Sequence, residues 1–293
     1  MRVLTVAAVL LAYSTTVTAD EPPKPGDVFK DCEECPEMVV IPPGKFMMGV
    51  HPTKARRYSP PWREEEVTDT IAVGRFEILV REYYACVEDK ACRAIKVPNI
   101  AMTQQFAAYY LTWYDAKTYV DWLAKKTGKP YRLLNEKEWE YAARAGTQTV
   151  YWWGDDFEPG KDICNGCLPK GEVISGTYRL GNRIVSYSTR HGHLMNPIGG
   201  ENIVPPNPFG LYFMLGNANE WTSDCHLVGK PPPSKYTPTA PDADCEARII
   251  KGGNYSSPPD FIRPGSRGGL KASNENSHGV KMSARVALTV YQP

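Results

Sequence analysis

Eight cysteines, five histidines and a pair of adjacent serines are the residues of this 293-residue chain whose types and spacing could do chemistry. Cys32-Glu-Glu-Cys35 and Cys164-Asn-Gly-Cys167 are each C-x-x-C, a spacing used by dithiol oxidoreductases, by zinc ribbons and by local bridges. Redox work asks for the first thiolate at a helix N-terminus, and neither pair is followed by a helical pattern. A structural bridge is the leading reading, with a four-cysteine zinc site or a redox dithiol as the others. Each motif could close on itself, or the two could cross-link. Cys86 and Cys92 bracket a short loop, and Cys225 and Cys245 flank the segment before a strand at Arg248, so both pairs are expected to be bridged. His191-Gly-His193 could set two imidazoles on one side of an extended segment, although a loop pair more often faces solvent. His51, His226 and His278 complete the set. Ser256 and Ser257 could be nucleophiles only beside a base, and no Gly-x-Ser-x-Gly elbow supports that.

These residues need elements to position them. Met38-Val-Val-Ile41 and Phe46-Met-Met48, separated by Pro42-Pro-Gly44, read as a hairpin. Ile71 to Leu79 alternates as a third strand, and Tyr83 to Glu88 begins a helix that runs into the Cys86 to Cys92 loop. Thr112 can cap a helix with Asp115 three residues on; Ala116, Tyr119, Val120 and Leu123 then share one face, and Gly128 and Pro130 end it. Asn135 caps another, with Glu138 in the capping-box position, Trp139, Ala142 and Ala143 buried, and Gly146 as the stop. Beyond it the chain is rich in Gly, Pro, Asn and aromatic residues, with short strands expected at Tyr212 to Leu215, Ala247 to Lys251 and Ala284 to Val290. The expected class is α+β: small sheets, two or three helices and much irregular loop.

Met1 to Ala19 has one early Arg, an apolar run from Val3 to Tyr13, and Val17-Thr-Ala19 ahead of Asp20. This is the layout of a cleavable secretory signal, which places the chain in the periplasm or outside the cell. The run is too short to span ~30 Å of hydrocarbon, so no transmembrane segment is expected after cleavage. The polar, proline-rich start Asp20-Glu-Pro-Pro-Lys-Pro-Gly26 reads as part of a flexible leader over 20–29. Basic and acidic residues number 34 and 33; removing the signal takes away Arg2 and no acid, leaving 33 of each. Such a balance offers no attraction to nucleic acid or to an anionic membrane.

The stretch from Asn207 to Asp224, Asn-Pro-Phe-Gly-Leu-Tyr-Phe-Met-Leu-Gly-Asn-Ala-Asn-Glu-Trp-Thr-Ser-Asp, joins a turn, an apolar run and a tight polar loop. It is followed by Arg248-Ile-Ile-Lys-Gly-Gly-Asn-Tyr255 and Arg263-Pro-Gly-Ser-Arg267. It is preceded by Cys35-Pro-Glu-Met-Val-Val-Ile-Pro-Pro-Gly-Lys-Phe-Met-Met-Gly49, by Tyr131 to Gly146 and by Tyr151-Trp-Trp-Gly-Asp155. In this order the motifs resemble the formylglycine-generating enzyme family, also called the sulfatase-modifying-factor domain, which has a C-type-lectin-like core. The resemblance implies one domain over 30–293, with regions near 95–110 and 168–195 fitting poorly.

The resemblance also implies sites. By position, the carbonyls of Gly216 and Ala218 and the carboxylate of Glu220 match a structural calcium site. A further ligand of that site falls at Phe213, which cannot ligate, so the alternative is a hydrogen-bonded Glu220 that pins the loop. A second calcium site falls at Ile163, where only Asp162 or Asn165 could compensate. The family's copper-binding cysteine pair corresponds to Ser256 and Phe261, which argues against copper and against formylglycine generation on sulfatases. Iron-dependent relatives take a histidine triad from a helical domain not present here. Arg263 and Arg267 match paired arginines that could hold a carboxylate or phenolate, or could cross-brace loops with Asp224, Asp260 or Glu275. Glu275 could move a proton, and Tyr255, Ser256, Trp221 and His278 would line a groove for a flat aromatic group.

The resemblance is strongest in type to pyoverdine-maturation proteins, which lack the cysteine pair. It points to maturation, oxidation or proton transfer on a peptide or aromatic secondary metabolite. The alternative is a non-catalytic lectin-like protein presenting loops to a protein or glycan, with Ile174 to Asn196 (Tyr178, Arg179, Arg183, Tyr187, Arg190) as its surface.

Overall fold

The computed structural model describes residues 22–55, 59–95, 104–167, 204–240, 243–273 and 281–290, together with the backbone of 173–180 and 183–190. The expected signal, His191, His193, Glu275 and His278 lie outside the described residues.

A five-stranded antiparallel sheet sits at the centre. Its strand order is β1 (Val28–Phe29), β2 (Met38–Ile41), β5 (Ile71–Gly74), β13 (Val286–Thr289) and β6 (Tyr131–Leu133). Side chains of a strand alternate between faces, and both faces of this sheet are covered. Met38, Val40, Ala72, Leu133, Val286 and Leu288 enter one core, while Val39, Ile41, Ile71, Val73 and Ala287 enter the other. That is why Met-Val-Val-Ile is an unbroken apolar run rather than an alternating one.

The first core is closed by α1 (Val80–Glu88) and α2 (Trp113–Thr127), which contribute Tyr83, Cys86, Ala116, Tyr119, Val120 and Leu123. The second is closed by α3 (Glu136–Arg144), through Trp139, Ala142 and Ala143, and by the pair β3 (Gly44–Met48) and β4 (Arg63–Val67). Both expected capping boxes form. Asp115 N donates to Thr112 Oγ1 over 3.0 Å while Thr112 N donates to Asp115 Oδ2 over 2.8 Å. Asn135 and Glu138 exchange the same bonds over 2.8 and 3.1 Å. A second sheet, β11 (Gly268–Leu270), β10 (Arg248–Lys251), β9 (Asn219–Cys225) and β12 (Met282–Ala284), carries the polar motifs, with β9 and β12 parallel. A hairpin of β7 (Val173–Leu180) and β8 (Arg183–Arg190) falls in the segment expected to be a binding surface. Among the described residues no helix is long and apolar enough to cross a membrane.

All eight cysteines are bridged, as Cys32–Cys35, Cys86–Cys92, Cys164–Cys167 and Cys225–Cys245. The two C-x-x-C motifs therefore close on themselves rather than cross-link, and none of their four sulfurs is left as a thiolate to hold zinc.

Several sequence expectations need correction. β2 and β3 do not pair as a hairpin: β2 joins the central sheet and β3 pairs with β4, because Pro42-Pro43, with no amide hydrogens to give, carries the chain from one sheet to the next. Residues 26–29 are not a free leader, since Gly26 N donates to Val40 O over 2.8 Å and β1 pairs with β2. The strand at Ile71 ends at Gly74, and α1 begins at Val80 rather than Tyr83. No strand forms at Tyr212 to Leu215. There Phe213 has φ of 57°, Tyr212 N bonds to Arg75 O, and Leu215 N bonds to the Asp162 carboxylate. The strand follows instead at the polar Asn219–Cys225, where ion pairing makes burial of polar side chains tolerable.

Candidate functional site

The motif residues converge on a buried ionic array. Glu220, fully buried on β9, accepts hydrogen bonds from Arg285 Nη2 at 2.8 Å, from Arg285 Nε at 3.1 and 3.2 Å, and from Trp139 Nε1 at 2.7 Å. Arg285 also donates to the carbonyls of Gly74 and Tyr212, at 2.8 and 2.9 Å. Glu77 lies beside it: Asn217 Nδ2 donates to Glu77 Oε1 over 2.9 Å, and Oε2 sits 3.8 Å from Arg285 Nη2. Burial pushes Glu77 up to about 8 against the pull of Arg285, and pushes Asp162 up to about 7 against backbone donors Ile163 N and Leu215 N. On the far side of Trp139, Glu140 binds Arg144 at 2.8 Å and Lys251 at 3.1 Å.

This array tests the calcium expectation. Both Glu220 oxygens are committed to Arg285 and Trp139, so a divalent cation there would meet a guanidinium in the place it needs. Gly216 is held for a steric reason, since a Cβ on it would lie 2.2 Å from Ile163 O. Gly216, Ala218 and Glu220 do not fit calcium as they stand; Glu220 acts as the pin of its loop.

Of the residues named for the groove, Glu275 and His278 lie outside the described residues, and Trp221, Ser256, Arg263 and Arg267 do not face one another. Trp221 is fully buried in the first core, its indole N–H donating to Leu111 O over 2.9 Å, so it cannot stack on a ligand. Arg263 and Arg267 diverge. Arg263 pairs with Asp260, whereas Arg267 Nε lies 3.0 Å from Glu136 Oε1 under a different loop. Ser256 and Ser257 belong to a braced turn: Ser256 N donates to Asn254 Oδ1 over 2.8 Å and Asn254 N to Ser257 Oγ over 3.0 Å. No base among the described residues contacts either hydroxyl.

Tyr255 does reach a solvent-facing site, with partners the sequence reading did not name. Its backbone N–H is tied to Asn217 O over 3.0 Å, and its half-buried ring bridges two aromatic clusters. One holds Tyr212, Phe213 and Phe76, the other Phe106 and Tyr109. Lys281, just before β12, donates to the Tyr110 hydroxyl and lies 4.3 Å from that ring's centre and 5.7 Å from that of Tyr109. Burial alone would push the Lys281 ammonium down, but the Tyr110 and Tyr255 hydroxyls outweigh it and hold the group above its ordinary range. Burial pushes the Tyr109 phenol up to about 12, with Tyr110 and Tyr255 adding to the shift. Tyr110 takes φ of 70°, uncommon for a residue with a Cβ and enriched at sites that must hold a side chain in a set direction. Its neighbours fix it: Ala108 N bonds to Ile78 O and Leu111 N to Met282 O. The result is a persistent cation ringed by tyrosines. The Tyr109-Tyr110 doublet is visible in the sequence, but it lies in the region that fitted the family pattern poorly.

Comparison with known proteins agrees with this architecture. The pattern of the sulfatase-modifying factor enzyme 1-like domain matches residues 24–285. The chain belongs to the sulfatase-modifying factor enzyme 1-like family. It is a member without the family's cysteine pair, since its cysteines are spent in bridges and Ser256 and Phe261 stand where the resemblance places that pair. It is 30% identical over 154 residues to inactive C-alpha-formylglycine-generating enzyme 2 of Bos taurus, covering 52% of this chain and 39% of that protein. It is 29% identical over 177 residues to the formylglycine-generating enzyme of Mycobacterium tuberculosis, covering 56% and 52%. The chain thus spans about half the length, or less, of these curated relatives. Among solved structures, PvdO of Pseudomonas aeruginosa superposes with a TM-score of 0.67 at 28% identity over 91% of this chain and 99% of that one. This likeness accords with the pyoverdine-maturation type within the family.

Proposed function

We propose that this family member acts in an exported compartment, periplasmic or secreted, on a peptide-borne or free aromatic substrate. Its chemistry is maturation by oxidation or proton transfer, as the resemblance to pyoverdine-maturation proteins implies. The observation that carries this reading is the Lys281 ammonium set among Tyr109, Tyr110 and Tyr255, in a chain whose fold follows PvdO along nearly its whole length.

The chemistry follows from the groups. Tyrosine faces stack on a flat ring, and an ammonium favours a ring hydroxyl in its anionic form. Proton transfer then needs only a neighbouring acid or base, the role proposed for Glu275. Oxidation of a ring diol would release two electrons and two protons, the electrons passing to an external acceptor such as dioxygen. A structural calcium ion is retained only as a proposal for sites other than Glu220. The second reading, a lectin-like binder, rests on the β7–β8 hairpin, a long two-stranded ribbon paired with no other described strand.

The test uses the full chain and a catechol-bearing peptide siderophore precursor, following binding by tyrosine fluorescence and turnover by absorbance and oxygen uptake. The proposal expects saturable binding that weakens at least tenfold in Lys281→Met. Absence of binding, combined with binding on a glycan array lost when the hairpin is deleted, would establish the lectin-like reading instead.

A further inference from the structure

Away from the tyrosine rim, a cavity of about 230 Å³ opens beneath the loop that follows β9. For scale, a cavity of about 150 Å³ admits benzene. Met48, Leu227, Pro232 and Ile249 give it apolar walls, and its charged groups are Arg63, Glu136, Asp224, Lys235 and Arg267; of these Arg63 is paired with Glu65 at 2.7 Å and Lys235 is exposed to solvent. The Arg267 side chain is only 10% exposed, yet its Nε has no hydrogen-bond partner: it approaches Glu136 Oε1 to 3.0 Å, off the line that a hydrogen bond requires. Among the described residues its terminal nitrogens make no hydrogen bond either. The Glu136 carboxylate is equally under-used. Its ionic contacts, with Arg267 and with Lys251 at 4.0 Å, both fall on Oε1, and among the described residues it accepts no hydrogen bond. Asp224, by contrast, is committed to Glu136 N, Thr239 N and the Tyr236 hydroxyl, at 2.8, 2.8 and 2.9 Å. A desolvated acid and base, side by side with hydrogen-bonding capacity unspent, are costly in a structural role.

We infer that this cavity binds a free apolar α-amino acid, the carboxylate on Arg267, the ammonium on Glu136 and the side chain against Met48, Leu227 and Ile249. The spacing suits it, because the two charges of an α-amino acid sit on one carbon and the two protein groups are in contact. The electrostatics narrow the choice further. A simple anion would face Glu136 and Asp224, and a simple cation would face Arg267 with Arg63 and Lys235 on the same walls, whereas a zwitterion meets an opposite charge at each end. Arg267 supplies the planar fork that a carboxylate matches. This site is separate from the tyrosine rim, so either proposal can fail without the other.

The probe is L-leucine, titrated into the full chain by calorimetry beside isovalerate, which lacks the ammonium, and isopentylamine, which lacks the carboxylate. Leucine is expected to bind one to one, with each truncated analogue at least tenfold weaker. Arg267→Gln and Glu136→Gln should each weaken leucine at least tenfold. Both residues are buried, so a variant at the rim guards against misfolding: Leu227 is 48% exposed, and Leu227→Trp should fill the cavity and abolish binding without moving the unfolding temperature. The inference is overturned if leucine gives no binding heat, if either analogue matches it, or if a folded Leu227→Trp binds leucine as the parent does.

Discussion

Lys281 and Arg285 stand on either side of the short strand β12 in opposite circumstances. Arg285 is wholly buried, and its nitrogens are spent on Glu220, Gly74 O and Tyr212 O, with Glu77 alongside. Lys281 is partly exposed, and tyrosine rings and hydroxyls surround it. A cation closed in by carboxylates has no free valence for a ligand, so it can only hold the scaffold. A cation faced by phenols keeps its charge and its open side. The difference teaches where to look in this family: motif residues that are easiest to recognise, Asn217, Glu220 and Trp221, are those most completely used up by the fold.

The sharpest way to break that comparison is Arg285→Met. Removing the guanidinium leaves Glu220 buried without its counterion, and breaking a buried pair from one side typically costs 3–5 kcal/mol, so a loss of about 4 kcal/mol is expected. Urea unfolding measures it. A loss below about 1 kcal/mol would mean that Arg285 is not the keystone described here. Arg285→Lys should recover only part of the loss, because a single ammonium cannot reach Glu220 and both carbonyls together.

The same contrast explains what was legible in the sequence. Helices α2 and α3 announced themselves through Thr112/Asp115 and Asn135/Glu138, because a capping box is a local contract between residues three apart. The bridge Cys86–Cys92 was legible for a like reason, its cysteines bracketing a short loop, and Cys225–Cys245 from its place flanking the segment before the Arg248 strand. What stayed hidden depended on long-range partners. Met38–Ile41 and Gly44–Met48 look like a hairpin until Ile71–Gly74 claims the first strand and Arg63–Val67 the second. Trp221 looks like a stacking platform until Leu111 O takes its indole proton. Arg263 and Arg267 look like a pair because they are close in sequence, but the turn between them sends one toward Asp260 and the other toward Glu136. Lys281 had no signal of its own; only the fold brings it to Tyr109 and Tyr110.

A second test separates burial from pairing as the source of stability. Glu82 is buried at the start of α1, where its Oε2 accepts Leu79 N–H over 2.9 Å. Burial dominates its environment and pushes it from 4.5 up to about 7, with the Leu79 bond, Arg81 and Lys30 pulling down and Glu37 pushing up. A raised carboxyl makes the folded state hold the proton more tightly than the unfolded chain does. Its stabilising contribution is therefore complete below 4.5 and is lost as pH rises through about 7. Glu82→Gln keeps the acceptor for Leu79 and cannot ionise. Relative to the parent it should be close to neutral at pH 4 and more stable at pH 8, on the order of 1–3 kcal/mol. Equal unfolding curves at both pH values would show that Glu82 is held by its partners rather than opposed by its burial.

The smallest effect on stability belongs to the rim, and there the comparison is most exposed to failure. Tyr255→Phe removes one hydroxyl beside Lys281 and leaves the ring that bridges the two aromatic clusters, so unfolding should shift by no more than about 0.5 kcal/mol. The same change removes one of the oxygens that keep the Lys281 ammonium above its ordinary range. If the rim is a binding site, aromatic substrate should bind at least tenfold more weakly while the unfolding curve stays in place. If stability falls instead and binding holds, Tyr255 belongs with Glu220 and Arg285 in the scaffold, and the division drawn at β12 is in the wrong place.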